Sequence, residues 1–240
     1  MSESPAHIVK SYEQELQRLR NLLTEMGGTA ESQLALAAKA VVTQDGAAAT
    51  RAVEQDPRVD ELERNAQQLV IRLLALRQPV ADDLRQIVAA LKMAGDLERI
   101  GDYAANIAKR SIVLGEFAPM FSMAGLAHMF RMVQDNLKLV IDAIGVQDAA
   151  GAVQVWRSDD MIDEMHNTLF RELVTYMMED PRNITPCTHL LFVAKNLERI
   201  GDHATNIAES AHYAATGEAL PNERPRGNSS AYAVIRPPRE

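Results

Sequence analysis

Glu98 and Asp102 stand four residues apart in this chain, and so do Glu198 and Asp202. On a helix, positions i and i+4 share one face, roughly 6 Å apart. Two like charges so placed repel, by about 0.2–0.5 kcal/mol when solvated and by more when partly buried. A bound cation turns that repulsion into attraction. Asn106 and Asn206 continue the same line one turn on. The line runs beside an apolar stripe, so the acids are expected to face a groove between helices.

More acid is available at Asp56, Asp60 and Glu61, matched by Asp159, Asp163 and Glu164. Asp56 reads best as the N-cap before Pro57. Asp60 and Asp163 lie one turn further in. They are the candidate partners of Glu98–Asp102 and Glu198–Asp202 across the groove. A site made of carboxylates takes Mg, Ca, Mn or Fe and does not suit a structural zinc. The expected metal ligands are therefore Glu98, Asp102, Glu198, Asp202, Asp60 and Asp163. The competing reading leaves these acids as solvated charge, with Gly101 and Gly201 kept only for close helix contact. His203 adjoins Asp202, but its counterpart is Tyr103, which argues against a symmetric role. The other histidines and the eleven methionines read as surface and packing residues.

The elements that carry these acids come in two copies. Asp96 to Arg110 and Asn196 to Ser210 agree at ten of fifteen positions at an offset of 100. Between the copies Tyr103 becomes His203, Ala105 becomes Thr205 and Lys109 becomes Glu209, while the Glu, Gly, Asp and Asn stay. Met26 to Glu61 aligns with Met129 to Glu164 at an offset of 103, without a gap. The second copy therefore lacks three residues between Leu69 and Leu84, near the turn signals Gln78-Pro79 and Asp180-Pro181. A repeat of about 100 residues has the size of a small domain.

Each copy reads as three helices. The first spans about Ile8 to Thr43 and is ended by Asp45-Gly46. After a short helical turn, the second runs from Asp56-Pro57 to about Leu76. The third covers about Asp82 to Ile112, with Leu84, Ile87, Val88, Leu91, Ala94, Leu97, Gly101, Ala104 and Ala108 as its apolar stripe. In the second copy the spans are about Met120 to Ile144, Ser158 to Met178 and Pro186 to Ala214. No segment alternates as a strand does. The expected fold is all-α: two tandem three-helix bundles related by pseudo-two-fold symmetry, with repeats at 1–115 and 116–216. The tail 217–240, with four prolines and no period, reads as disordered.

Composition narrows the function classes. The 240 residues are 47% hydrophobic but only 5% aromatic, and the formal net charge is −8. An acidic balance argues against nucleic acid and against adsorption to an anionic membrane. One cysteine, Cys187, allows neither an intramolecular disulfide nor a cysteine zinc cage. No apolar stretch reaches spanning length and the N-terminus lacks a signal-peptide core, so the reading is a cytoplasmic protein without membrane insertion. A carboxylate-bridged di-metal oxidase would need Glu-x-x-His on each of two helices, and the expectation is that the chain contains no Glu-x-x-His. No P-loop or nucleophile elbow is present, so the reading is not an enzyme. The alternatives are a metal-free helical interaction scaffold and, ranked below it, the carboxylate-bridged di-metal oxidase.

The doubled Leu-Glu-Arg-Ile-Gly-Asp at 97–102 and 197–202, each followed by Ala and Asn-Ile-Ala, resembles the PhoU family. So does Met26-Gly-Gly with the acids that begin the second helix. The resemblance covers roughly residues 6–216. It implies two three-helix bundles whose repeated acidic motif can hold metal clusters, here at Glu98–Asp102 and Glu198–Asp202. It further implies a negative regulator of phosphate import and of the phosphate-starvation response, often dimeric. The implied partners are the ATPase of the phosphate ABC transporter, a phosphate-sensing histidine kinase and a second copy of the chain.

Overall fold

The computed structural model describes residues 5–117 and 122–221, with side chains from Tyr12 onward. Most of the expected tail, 222–240, and the expected helix start at Met120 lie outside the described residues. Within them the chain is all-α. The helices are α1 (Pro5–Thr43), α2 (Gly46–Glu54), α3 (Asp56–Arg77), α4 (Ala81–Leu114), α5 (Ala124–Val146), α6 (Ala149–Arg157), α7 (Asp159–Glu179) and α8 (Ile184–Thr216). A 3₁₀ turn at Pro181–Asn183 precedes α8.

Each repeat is thus a bundle of three long helices with a short fourth inserted after the first. The short turn expected there is a helix of nine residues, α2 in one copy and α6 in the other. Its start is the same in both. Gln44 and Gln147 take left-handed backbones, φ 53 and 56, and break the preceding helix. Asp45 then accepts a hydrogen bond from the Ala48 amide at 3.0 Å, and Asp148 from the Ala150 amide at 2.9 Å. Such a cap fills one of the four amides a helix N-terminus leaves unpaired. Asp45 therefore opens a helix as well as following one.

Asp56 does not cap. The residue before α3 is Gln55, with no side-chain cap bond, and Pro57 occupies the first turn. The Asp56 carboxylate instead accepts from Gln33 Nε2 at 3.3 Å. In the second copy Asp159 is buried and accepts from Thr205 Oγ1 at 3.0 Å.

The helical period explains the core. On α1, Leu16, Leu19, Leu23, Met26, Ala30, Leu34, Ala37 and Val41 are all buried. Their three- and four-residue spacing gives one apolar stripe. The stripe of α4 differs from expectation at its N-terminal end. Ile87, Ala94, Leu97, Gly101, Ala104 and Ala108 are buried, but Leu84, Val88 and Leu91 are 40–41% exposed. Ala90 and Met93 turn inward there in their place. The rotation puts three leucine-sized side chains at i, i+4 and i+7 on solvent.

α4 and α8 pack antiparallel along the centre. Asp96 meets His203 and Asn206, while Arg110 meets His189 and Phe192. Position k on α4 thus lies near position 300 − k on α8, which is the pairing a two-fold axis between the repeats produces. α1 and α5 also touch. A Cβ built on Gly27 would stand 2.6 Å from Ile141 Cγ1, so only glycine allows this approach. One connected set of buried side chains runs through both repeats, with Leu97, Ile100 and Ile107 beside Leu197, Ile200 and Ile207.

Candidate metal centre

Gly101 and Gly201 position the acidic pairs. A Cβ at Gly101 would lie 3.2 Å from Gln33 Oε1 and 3.3 Å from Val59 Cγ1. One at Gly201 would lie 3.0 Å from Ile162 Cδ1. The glycines let α4 press on α1 and α3, and α8 on α7. Glu98 and Asp102 flank one contact, Glu198 and Asp202 the other, so each pair sits at a helix seam.

In the first repeat, Glu98 is about one-fifth exposed and Asp102 about one-third. Arg99 lies against both, 3.4 Å from Glu98 and 3.0 Å from Asp102. Burial holds the Glu98 carboxyl above its ordinary range, and the charges of Asp102, Glu63 and Asp60 push it the same way. Asp60 and Glu63 come from α3, so the seam gathers acids from two helices. An open cleft beside them is lined by Glu63, Asp96, Glu98, Arg99 and Asn206.

In the second repeat, burial together with Asp159, Glu198 and Asp202 pushes the Asp163 carboxyl up to about 6. Lys195 opposes that shift, and its Nζ lies 2.6 Å from Glu198 Oε1. Arg199 stands further off than its counterpart, 3.9 Å from Glu198 and 3.8 Å from Asp202. His166 on α7 faces Glu198. Burial lowers its imidazole pKa while Glu198 opposes the shift.

The six expected ligands therefore fall into two groups of three, Asp60 with Glu98 and Asp102, and Asp163 with Glu198 and Asp202. Among the described residues no three His, Cys, Asp or Glu side chains converge closely enough to hold an ion in this conformation. Carboxylate oxygens are the donor type that a divalent cation would take, though the set is not assembled here. Each seam holds one carboxyl that burial and its acidic neighbours raise, Glu98 in the first and Asp163 in the second. Each also holds a buried oxygen without a hydrogen-bond partner, Gln33 Oε1 in one and Glu198 Oε2 in the other. Such oxygens are costly unless a donor or a cation meets them.

Other expectations need correction. Asn106 is exposed, and Asn206 Nδ2 donates to Asp96 Oδ1 at 3.3 Å, so neither extends the acidic line. His203 turns away from Asp202. Its Nδ1 lies 2.7 Å from Asp96 Oδ1, and its ring centroid lies 5.7 Å from that of Tyr103. The single Glu-x-x-His spacing, Glu209–His212, has no mate on another helix, and His212 Nδ1 faces the Glu218 carbonyl. Glu63 and His166 were missed. They align at the offset of 103, one turn beyond Asp60 and Asp163, and that alignment is the signal that would have found them.

Three kinds of comparison bear on the chain. A family model described as the PhoU domain matches residues 23–111 and again 126–211. The phosphate-specific transport system accessory protein PhoU homolog of Caulobacter vibrioides is 52% identical over 221 residues, 92% of this chain and 96% of that protein. The Rhizobium meliloti protein of the same name is 45% identical over 229 residues, 95% of this chain and 97% of its own. The crystal structure of PhoU from Pseudomonas aeruginosa superposes with a TM-score of 0.84 at 39% identity, covering 86% of this chain and all of that one. The phosphate transport system regulatory protein PhoU from Streptococcus pneumoniae gives 0.80 at 26% identity, covering 88% and 99%.

Proposed function

The chain belongs to the PhoU family, and from that premise we propose that it is a cytoplasmic negative regulator of phosphate uptake and phosphate-starvation signalling. In this reading it is a helical adaptor rather than an enzyme. It docks, as a homodimer, on the ATPase of a phosphate ABC transporter and on a phosphate-sensing histidine kinase. No helix among the described residues is long and apolar enough to cross a membrane.

The observation that carries the reading is the doubled acidic seam on a chain matched almost end to end by accessory proteins of phosphate transport. Glu98, Asp102 and Asp60 would hold one divalent cation, and Glu198, Asp202 and Asp163 another. Bound there, a cation supplies positive charge that ties α3 to α4 and α7 to α8. The residues themselves do the rest. Gly101 and Gly201 fix the seam width, Arg99 and Arg199 balance part of the charge, and the helices present a rigid outer face.

A metal-free scaffold is the second reading. The exposed row Leu84, Val88 and Leu91 favours it, because an apolar helix face suits a protein partner without any ion.

The test is capture of partners by tagged full-length chain from cells grown at high and low phosphate, identified by mass, alongside elemental analysis. Transporter ATPase and sensor kinase recovered at high phosphate, with a divalent metal lost on combined Glu98→Ala, Asp102→Ala, Glu198→Ala and Asp202→Ala, support the reading. Stoichiometric metal in that variant defeats the ligand assignment. Absence of both partners defeats the adaptor assignment.

A further inference from the structure

A narrow apolar hollow lies where the last turns of α8 meet the first repeat. Leu16 and Leu23 of α1 with Met93 of α4 wall it on one side, and Ile144 of α5 with Ala211 and Ala215 of α8 on the other. Both repeats therefore contribute. The hollow runs on into an open trough that shares Arg20 and Gln86 with it and adds Glu13, Gln14 and Gln17. The chain leaves α8 close by and turns back on the body. Gly217 takes a left-handed backbone, φ 77, and a Cβ there would stand 3.0 Å from Arg85 Cζ, the residue next to Gln86. The Glu218 amide donates to Thr216 Oγ1 at 3.0 Å, and Leu220 is half-buried.

We propose that this hollow and its trough are the seat of the chain's own segment 231–235, which binds there in extended form and straps the two repeats together. The inference is independent of any cation at the acidic seams and of the phosphate reading.

Reach is assured. Ala215 lines the hollow, and the six residues on to Pro221 cover at most about 21 Å. The ten from Pro221 to Ala231 cover about 33 Å, so the segment returns to the hollow whichever way the chain first leads. Composition selects it. Within 222–240 the only unbroken apolar run is Ala231, Tyr232, Ala233, Val234 and Ile235, between Arg and Pro on both flanks. Val234 and Ile235 are β-branched and favour an extended backbone, and Pro237 biases Arg236 the same way. Alternation then puts Ala231, Ala233 and Ile235 on one side. That small aliphatic side suits a narrow hollow, and Tyr232 keeps its hydroxyl at the rim. The amides of Gln14, Gln17 and Gln86 along the trough carry both donors and acceptors for an extended backbone. Charge agrees as well. Residues 222–240 hold four Arg against two Glu, in a chain of net charge −8, and Glu13 puts a carboxylate on the trough. Opposite signs draw the segment to the body. Tethering gives it an effective concentration on the order of millimolar, so a contact too weak to hold a free peptide stays occupied.

The experiment is hydrogen–deuterium exchange on the full chain with nothing added. Relative to their intrinsic rates, the amides of 231–235 should exchange on the order of tenfold more slowly than those of 222–230. Ile235→Asp should abolish the slowing. Ala215→Arg should do the same from the other side, and because Ala215 is exposed the helix core is left alone. Unchanged exchange across buried Leu97, Ile100 and Ile107 verifies that the variant is folded. Glu13→Arg, exposed on the opposite wall, repeats the test at a second position. A segment that exchanges as fast as its neighbours in the wild-type chain overturns the strap. Slowing that both arginine variants leave within twofold overturns this seat. Slowing that grows over about a hundredfold range of protein concentration places the segment on a second copy and overturns the intramolecular assignment.

Discussion

His203 Nδ1 on α8 lies 2.7 Å from Asp96 Oδ1 on α4, across the boundary between the two repeats. The repeat sets Tyr103 and Asn196 at the matching sequence positions, so the two side chains of this pair are not duplicated. Both side chains are at most one-fifth exposed, and Asn206 adds a second donor to the same carboxylate. Asp96→Ala removes an acceptor shared by two groups. It should cost about 1–3 kcal/mol, whereas Asp96→Asn, which keeps an acceptor oxygen, should cost less than half as much. Urea unfolding of the three proteins at pH 7 checks the order.

Gly27 gives a sharper steric prediction. Alanine has the better helix propensity by about 1 kcal/mol, but its Cβ would stand 2.6 Å from Ile141 Cγ1. Overpacking of that kind costs about 1–3 kcal/mol. Gly27→Ala should therefore lower the melting temperature. Ile141→Ala in the same chain should recover part of the loss, so the two changes are non-additive. Thermal melts of the single and double variants decide it.

Asp163 makes the stability of the metal-free protein depend on pH in the mildly acidic range, with the acid side favoured. Its carboxyl is raised from 3.8 to about 6 in the folded chain. The folded state then binds the proton more tightly than the unfolded chain does. Stability should fall as pH rises from about 4 towards 6 and stay lowered above, by on the order of 1–3 kcal/mol before discounting for partial solvent screening. Asp163→Asn should flatten that window. Urea midpoints at half-unit steps from pH 4 to 7.5, in chelator, give the measurement. His166, held below its ordinary 6.5 by burial, pushes stability the other way, so the decisive quantity is the difference between the two proteins, and coincident wild-type and Asp163→Asn profiles contradict the assignment.

Leu91 and Leu97 lie on the same helix, but one is 41% exposed and the other fully buried. Leu97→Ala should cost about 2–5 kcal/mol through the cavity it leaves. Leu91→Ala should stay under about 1 kcal/mol. A difference smaller than this in denaturant midpoints would show that the outer row is packed in solution.

What the sequence made legible followed the range of the interaction involved. The long helices were readable because Leu16, Leu19, Leu23 and Met26 repeat at 3.6 residues. The duplication was readable because the two LERIGD segments are nearly the same letters. The α2 and α6 helices were read only as a short helical turn, since nine residues make too few turns to fix an element's length. Asp56 showed the pattern of a cap, but Gln33 arrives from α1 to take its carboxylate, a contact 23 residues away in sequence. The Asp96–His203 pair spans 107 residues, and only the antiparallel docking of α4 on α8 brings it about. The acids of the candidate site were found by spacing. Their electrostatic inequality came from Lys195 on the same helix and from Glu63 and His166 on the neighbouring ones.

The shared interior of α4 and α8 has a consequence for the origin of the chain. A lone ancestral unit of this kind would leave wet the side of its last helix that meets α8 here, along Asp96, Tyr103 and Arg110. Its simplest remedy is a second copy of itself in a self-complementary pair. Joining two such units end to end raises their effective concentration, so that pairing no longer depends on encounter. Each half is then free to drift in its charged residues while the apolar seam holds both to the same geometry.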